Sequence, residues 1–130
     1  MAKTYSAKDV SVIVDGVYLT GFGESMVEVE KSESNFEPKV GAQGDVVRAQ
    51  VHNNLGTIKV TLQQLSPQIS YLDRLANSGK LVPVSVIYSG TPKETSSATE
   101  AYVTKPAGRK YSKETEDREY EFQCLDLKME

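Results

Sequence analysis

The chain has 130 residues, 38% of them hydrophobic and 25% charged, which suits one domain (1–130) with a core of its own and excludes a disordered segment. Fifteen Lys and Arg stand against eighteen Asp and Glu, a net charge of −3; that balance argues against a general nucleic-acid binder, which needs a basic face for phosphates. No apolar run approaches the roughly 18–20 residues of a membrane span, the first residues lack a signal-peptide core, which places synthesis in a cytoplasm, and a lone Cys124 excludes an intrachain disulfide or a Cys-cluster zinc site.

Residues 1–9 are polar and aperiodic, which predicts a frayed terminus or an arm that docks on a neighbour. The β-branched run to Val14, the turn dipeptide Asp15-Gly16 and the return over Val17–Thr20 predict a hairpin. Gly21 and Gly23 mark a bend around Phe22. Met26–Lys31 alternates, with Val27 and Val29 on one face and Glu28 and Glu30 on the other, the pattern of a half-buried strand. The rhythm is lost from Ser32 to Asp45. So long a stretch without regular structure is uncommon inside a domain, and Phe36, Pro38 and Val40 give it apolar anchors among Gly41, Gly44 and Asp45. It predicts a protruding hairpin extension that orders against another surface.

Val46–Val51 reads as a returning strand and Asn53–Gly56 as a turn. Thr57–Gln63 alternates strictly, with Ile58, Val60 and Leu62 inward and Thr57, Lys59, Thr61 and Gln63 outward. The one helix covers about 67–78. Ser66 is placed to cap it and Pro67 to open it. Ile69, Leu72, Leu75 and Ala76 form its core stripe, and Gly79 stops it. Val82–Tyr88 is a strand and Ser89–Thr99 a polar loop. Glu100–Thr104 is a short strand, and Glu119–Leu127 the last, with Tyr120, Phe122 and Cys124 inward. Cys124 reads as a small buried core residue. GRKYSK at 108–113, followed by EDREYE, reads as a solvated mixed-sign loop. The fold class is mainly β: an antiparallel two-sheet sandwich or barrel of roughly seven to nine strands with one helix.

Chemistry is sparse. His52, the only histidine, borders a turn and no serine lies in a nucleophile elbow. GAQGD matches neither phosphate-binding glycine motif. Glu28 and Glu30, about 7 Å apart on a strand face, have the spacing of any alternating acidic strand, and no calcium-loop spacing occurs. The expectation is a protein without catalytic residues, cofactor or metal.

The blocks SVIVDG, LTGFGESMVEVEKSESNFEPKVGAQGDVVRA and NNLGTIKVTLQQLSP, with AYVTKPAGRKYSKETEDREYEF near the end, closely resemble a family of phage tail structural proteins. That family occurs in contractile-tailed (myovirus-type) phages and prophage-derived particles. The resemblance runs from about Val10 to Leu127. It implies a tail tube protein of the virion, made in a bacterial host and assembled as stacked hexameric rings. The implied partners are copies of the chain, the sheath, the baseplate and the terminator, with DNA passing through the lumen without specific binding. The residues agree with it in three ways. Exposed strand edges invite pairing between copies, here along Met26–Lys31 and Thr57–Gln63. The 32–45 excursion, with Phe36, Pro38, Val40, Gly41, Gly44 and Asp45, offers a contact to the next ring. The acidic balance, about −18 for six copies, suits a DNA conduit; Glu28, Glu30, Lys59, Thr61 and Gln63 are the candidate lumen set. The alternatives are a terminator, connector or baseplate ring of the same fold, and a small β-sandwich that binds carbohydrate or another ligand.

Overall fold

In the computed structural model, which describes residues 4–130, Asp15 and Gly16 both take positive φ, 49° and 80°. That pair of left-handed conformations lets a tight turn join right-twisted strands. It links β1 (Val10–Val14) to β2 (Val17–Tyr18), the hairpin expected from the dipeptide. The chain continues through β3 (Phe22–Lys31), β4 (Phe36–Val40), β5 (Val46–Gln50) and β6 (Gly56–Leu62). Helix α1 (Ile69–Ser78) is followed by β7 (Val82–Tyr88), β8 (Glu94–Val103), β9 (Arg118–Cys124) and β10 (Lys128–Met129).

All pairings are antiparallel. The larger sheet has the order β2-β1-β7-β8-β9-β6-β3, with β10 beside β8, and β4 pairs with β5 in a second, two-stranded sheet. The larger sheet curls about one core. Val12, Val14, Ile58, Val60, Leu62, Val84, Tyr120, Phe122 and Cys124 all turn the same apolar side to it. The expected mainly β architecture with one helix is therefore what the chain adopts. Its sheet stays open, because among the described residues β3 is hydrogen-bonded to β6 and not to β1 or β2.

Helix α1 closes the core with Ile69, Leu72 and Leu75 buried and Ala76 packed against the cluster, the stripe expected from its spacing. Gly79 ends it at φ 67°, donating its N–H to Leu75 O. The start differs from expectation. The helix begins at Ile69, after Pro67 and Gln68, and Ser66 Oγ accepts from Gln68 N at 3.4 Å while donating to Thr20 O at 2.6 Å. Gln68 Oε1 accepts from both Thr20 N and Thr20 Oγ1, each at 2.9 Å. Ser66 and Gln68 thus tie the helix entrance to the bend before β3, a task the backbone of the first turn cannot perform. On the helix's inner side, Tyr120 Oη donates to Asp73 Oδ1 at 2.8 Å, and Asp73 Oδ2 faces Arg109 at 3.4 Å. Burial, followed by that hydrogen bond, raises the Tyr120 phenol well above its usual range, so it remains a donor. Burial likewise pushes the Cys124 thiol up to about 11, which keeps this core residue unreactive.

Several boundaries differ from the sequence expectations. β3 begins at Phe22, ahead of a bulge that shifts register between Phe22 and Val27. Gly56 is the buried first residue of β6 rather than a turn residue. A Cβ there would overlap the Leu127 side chain and come within 2.8 Å of Glu30 O, so a larger residue would force the Glu30 backbone to shift. The expected polar loop 89–99 is half strand. Residues from Glu94 pair with β7 on one side, and Ser96 and Ser97 pair with β10 on the other. Backbone partners on both sides order this Ser/Thr stretch, whose side chains carry no apolar rhythm. The expected last strand is broken at Asp126, whose carboxylate accepts from Thr99 N, Glu100 N and the Thr99 hydroxyl. At the other terminus, residues 4–9 are not frayed: Ser6 caps a short turn over Ala7–Asp9, and Tyr5 meets Tyr88 at 5.8 Å between ring centroids. Residues 1–3 of the expected frayed segment lie outside the described residues.

Truncating Leu72→Ala is expected to cost about 2–5 kcal/mol of stability through a core cavity, measurable by urea denaturation. Asp126 offers a pH test. Its hydrogen bonds hold the carboxyl below its ordinary value of 3.8. A depressed folded-state pKa contributes stability that is complete above the unfolded value and is lost as pH falls through the folded one. Asp126→Asn should therefore flatten the acid limb of the stability–pH curve below about pH 4 and leave its shape near neutrality unchanged.

Candidate assembly surfaces

Three surfaces contribute nothing to the core. The first is the β4–β5 hairpin. Its register pairs Phe36 with Gln50, Pro38 with Arg48 and Val40 with Val46. Residues opposite one another in a ladder share a face, so Phe36, Pro38, Val40 and Val46 lie together on one side, with Arg48 and Gln50. Glu37, Lys39, Val47 and Ala49 occupy the other. The Arg48 guanidinium lies 4.0 Å from the Phe36 ring centroid, a cation–π contact within the ribbon. At the tip, Gly41 N donates to Asp45 O at 2.8 Å, and Gly44 takes φ 90°. Every residue of both strands is exposed; Val40, Val46 and Val47 retain 66–70% of their accessible surface. The returning strand expected over Val46–Val51 forms as β5, and among the described residues it pairs with β4 and stays outside the larger sheet. Its period of two was legible, but its partner was not.

The second surface is the outward side of β3, β6 and β9. Register sets Glu28 beside Lys59 and Lys59 beside Glu121; Glu30 beside Thr57 and Thr57 beside Gln123; and Thr61 beside Glu119. Four of the five residues expected to share this face do so, and Gln63 follows exposed just beyond the end of β6. Glu119, Glu121 and Gln123 complete it. They are outward residues of the last strand whose membership depends on β9 pairing with β6. Lys59 is the single cation in this register among four carboxylates, those of Glu28, Glu30, Glu119 and Glu121.

The third surface is an edge. Among the described residues β3 has no partner on its outer side, whereas β6 is paired on both sides, with β3 and β9. Thr57–Gln63 is therefore an interior strand and offers no free edge, which corrects the expectation that both strands would serve as edges. A strand carrying the core's most regular alternation is the one both neighbours register against.

The remaining candidates for chemistry are dispersed. His52 is exposed beside the Asn53 turn, where Asn53 Oδ1 accepts from Leu55 N. Among the described residues, no His, Cys, Asp and Glu side chains cluster as metal ligands would. The exposed aromatics Tyr5, Tyr18 and Tyr111 belong to separate segments rather than to one platform.

A curled antiparallel sheet with one helix and an outlying hairpin is a fold shared with components of contractile injection systems. The sheath/tube terminator of an extracellular contractile injection system, PVC, in its extended state, superposes with a TM-score of 0.72 at 12% identity, over 99% of this chain and 98% of that one. The tube-terminating cap of the anti-feeding prophage gives 0.66 at 12% identity, over 100% and 94%. A chain of the PVC sheath–tube complex gives 0.65 at 13% identity, over 98% and 91%. No curated protein sequence matches the chain. The family model described as bacteriophage PhiTE tail tube protein matches residues 1–129, and the chain belongs to that family. It is a structural tail protein of the virion.

The exposure of the hairpin leads to a contrast measurable in the isolated subunit. Val40→Asp or Val46→Asp should change stability by no more than about 0.5 kcal/mol. Val60→Asp, which buries an unpaired charge beneath β6, should prevent folding; circular dichroism and thermal melting separate the two cases.

Proposed function

We propose that the chain forms rings, six copies each as the family resemblance implies, and that the rings stack head to tail into a tail tube. The observation that carries this reading is the hairpin, in a member of a tail tube family: a ribbon whose Phe36, Pro38, Val40 and Val46 share one exposed face. A two-stranded ribbon is marginal in water by itself. Burying each of these aliphatic or aromatic side chains on another copy is worth about 1.5–3 kcal/mol. Phe36, Pro38, Val40, Gly41, Gly44 and Asp45 accordingly belong to the contact between rings.

Around the ring, the unpaired edge of β3 extends the sheet into a neighbouring copy. The polar side of β3, β6 and β9 then faces the lumen, with Glu28, Glu30, Lys59, Thr61 and Gln63 joined by Glu119, Glu121 and Gln123. An excess of carboxylates repels phosphates and lets DNA pass without being held. On this reading the partners are further copies of the chain, then sheath, baseplate and terminator proteins.

A second reading is favoured by the likeness to the terminator and the cap. There the chain forms one ring that does not polymerise. Electron microscopy of the concentrated protein distinguishes them: long tubes support the first reading, single rings the second, and neither form excludes both. Deleting residues 37–44 should leave thermal unfolding nearly unchanged and abolish stacking. Converting Glu28 and Glu121 together to Lys should leave tubes intact but make them retain short duplex DNA in a salt-dependent manner; tubes that ignore DNA would remove this face from the lumen.

A further inference from the structure

The two ends of β3 carry different features. The strand is ten residues long, about 30 Å at the usual rise per residue. Past Lys31 the chain enters the hairpin. At the Phe22 end lies a cleft of about 350 Å³ whose walls include Val10, Leu19, Phe22 and Met26, with Ala7 and the exposed Lys8 beside them. The cleft spans the open seam of the sheet, where Val10 of β1 and Phe22 and Met26 of β3 approach without strand pairing.

We propose that this cleft receives the hairpin tip of a second copy, with Val40 and Val46 between Val10, Phe22 and Met26 and with Asp45 against Lys8. The inference rests on the reading that the hairpin joins successive rings, and it names the surface that receives it. Three observations support the match. Val40 and Val46 are directly paired across the ribbon, so they present one compact apolar knob, and the cleft wall is aliphatic and aromatic in kind. The acid next to the knob, Asp45, and the base lining the cleft, Lys8, have opposite charge, as an interface needs at its rim. Donor and receptor also lie at opposite ends of one strand. A contact between unlike surfaces at opposite ends does not close on itself, and repeats in one direction as an open stack.

A second groove, about 480 Å³ and lined by Val27, Val29, Val86, Tyr88 and Met129 among others, lies farther along β3 toward the hairpin's own end. It is the competing receptor. Disulfide trapping decides between them, and buried Cys124 does not interfere. The double variant Val40→Cys with Met26→Cys should give a ladder of covalent multimers when assembled protein is oxidised and run on a non-reducing gel. Val40→Cys with Met129→Cys should not, and each single variant should stop at dimers. Tubes accompanied by a ladder only from the Met129 pair, or from neither pair, would overturn the cleft while leaving the tube reading intact. Absence of any ring or tube from the unmodified protein would overturn both. A charge swap gives an independent readout. Lys8→Glu or Asp45→Lys alone should raise the critical concentration for assembly roughly tenfold, since a modest rim contact recurs at every subunit. The two together should restore it. A double variant no better than either single one would show that these residues do not meet.

Discussion

The arrangement depends on the alternation of β6. Gly56, Ile58, Val60 and Leu62 are buried, while Thr57, Lys59 and Thr61 stand on the other side, and the strand is paired along its length with β3 and β9. A shift of one residue would turn its aliphatic set into water and Lys59 into the core. Both neighbours are held to that register. Val27 and Val29 meet Val60 and Ile58 on the inside, and Tyr120 and Phe122 do the same from β9. The carboxylates of β3 and β9 therefore converge on the opposite face as a consequence of packing, not through any attraction among themselves.

The helix and the carboxyl terminus secure this curl at two corners. Asp73 holds Tyr120 from above the core, and Ser66 with Gln68 holds the bend that feeds β3. Asp126 fastens the chain where β9 gives way to β10, and Lys31 Nζ donates to Leu127 O across the same corner. Each bond satisfies a backbone group or buried hydroxyl that would otherwise be costly to leave unpaired. With the core covered in this way, nothing else among the described residues covers the hairpin. The same separation that leaves its apolar face in water makes it available to another copy.

Local features were legible from residue order. Asp15-Gly16 specified its turn because few residues tolerate two successive positive φ values. The helix stripe and its Gly79 stop were readable because a period of 3.6 and a left-handed terminator are local signals. The helix start was not. Ser66 Oγ accepts from Gln68 N as a cap would, but Ser66 and Gln68 are also held by Thr20, some 46 residues away in sequence, and the first helical turn opens only at Ile69. The first half of β8 was hidden for a similar reason: Thr95, Ser96 and Ser97 are ordered by two flanking strands and not by their own apolar pattern.

The candidate surfaces divide in the same way. Residue order by itself determined that Glu28 and Glu30 share a face, that Lys59 and Thr61 share another, and that Phe36, Pro38 and Val40 anchor an outlying segment. These follow from the two-residue period of a strand, which is a property of one segment. Only the tertiary structure decided that the faces of β3, β6 and β9 are a single surface, that β6 is interior while β3 is an edge, and that Val46 sits opposite Val40. Those facts depend on which strand pairs with which and in what register, and that choice is made by the shared core rather than by any strand alone.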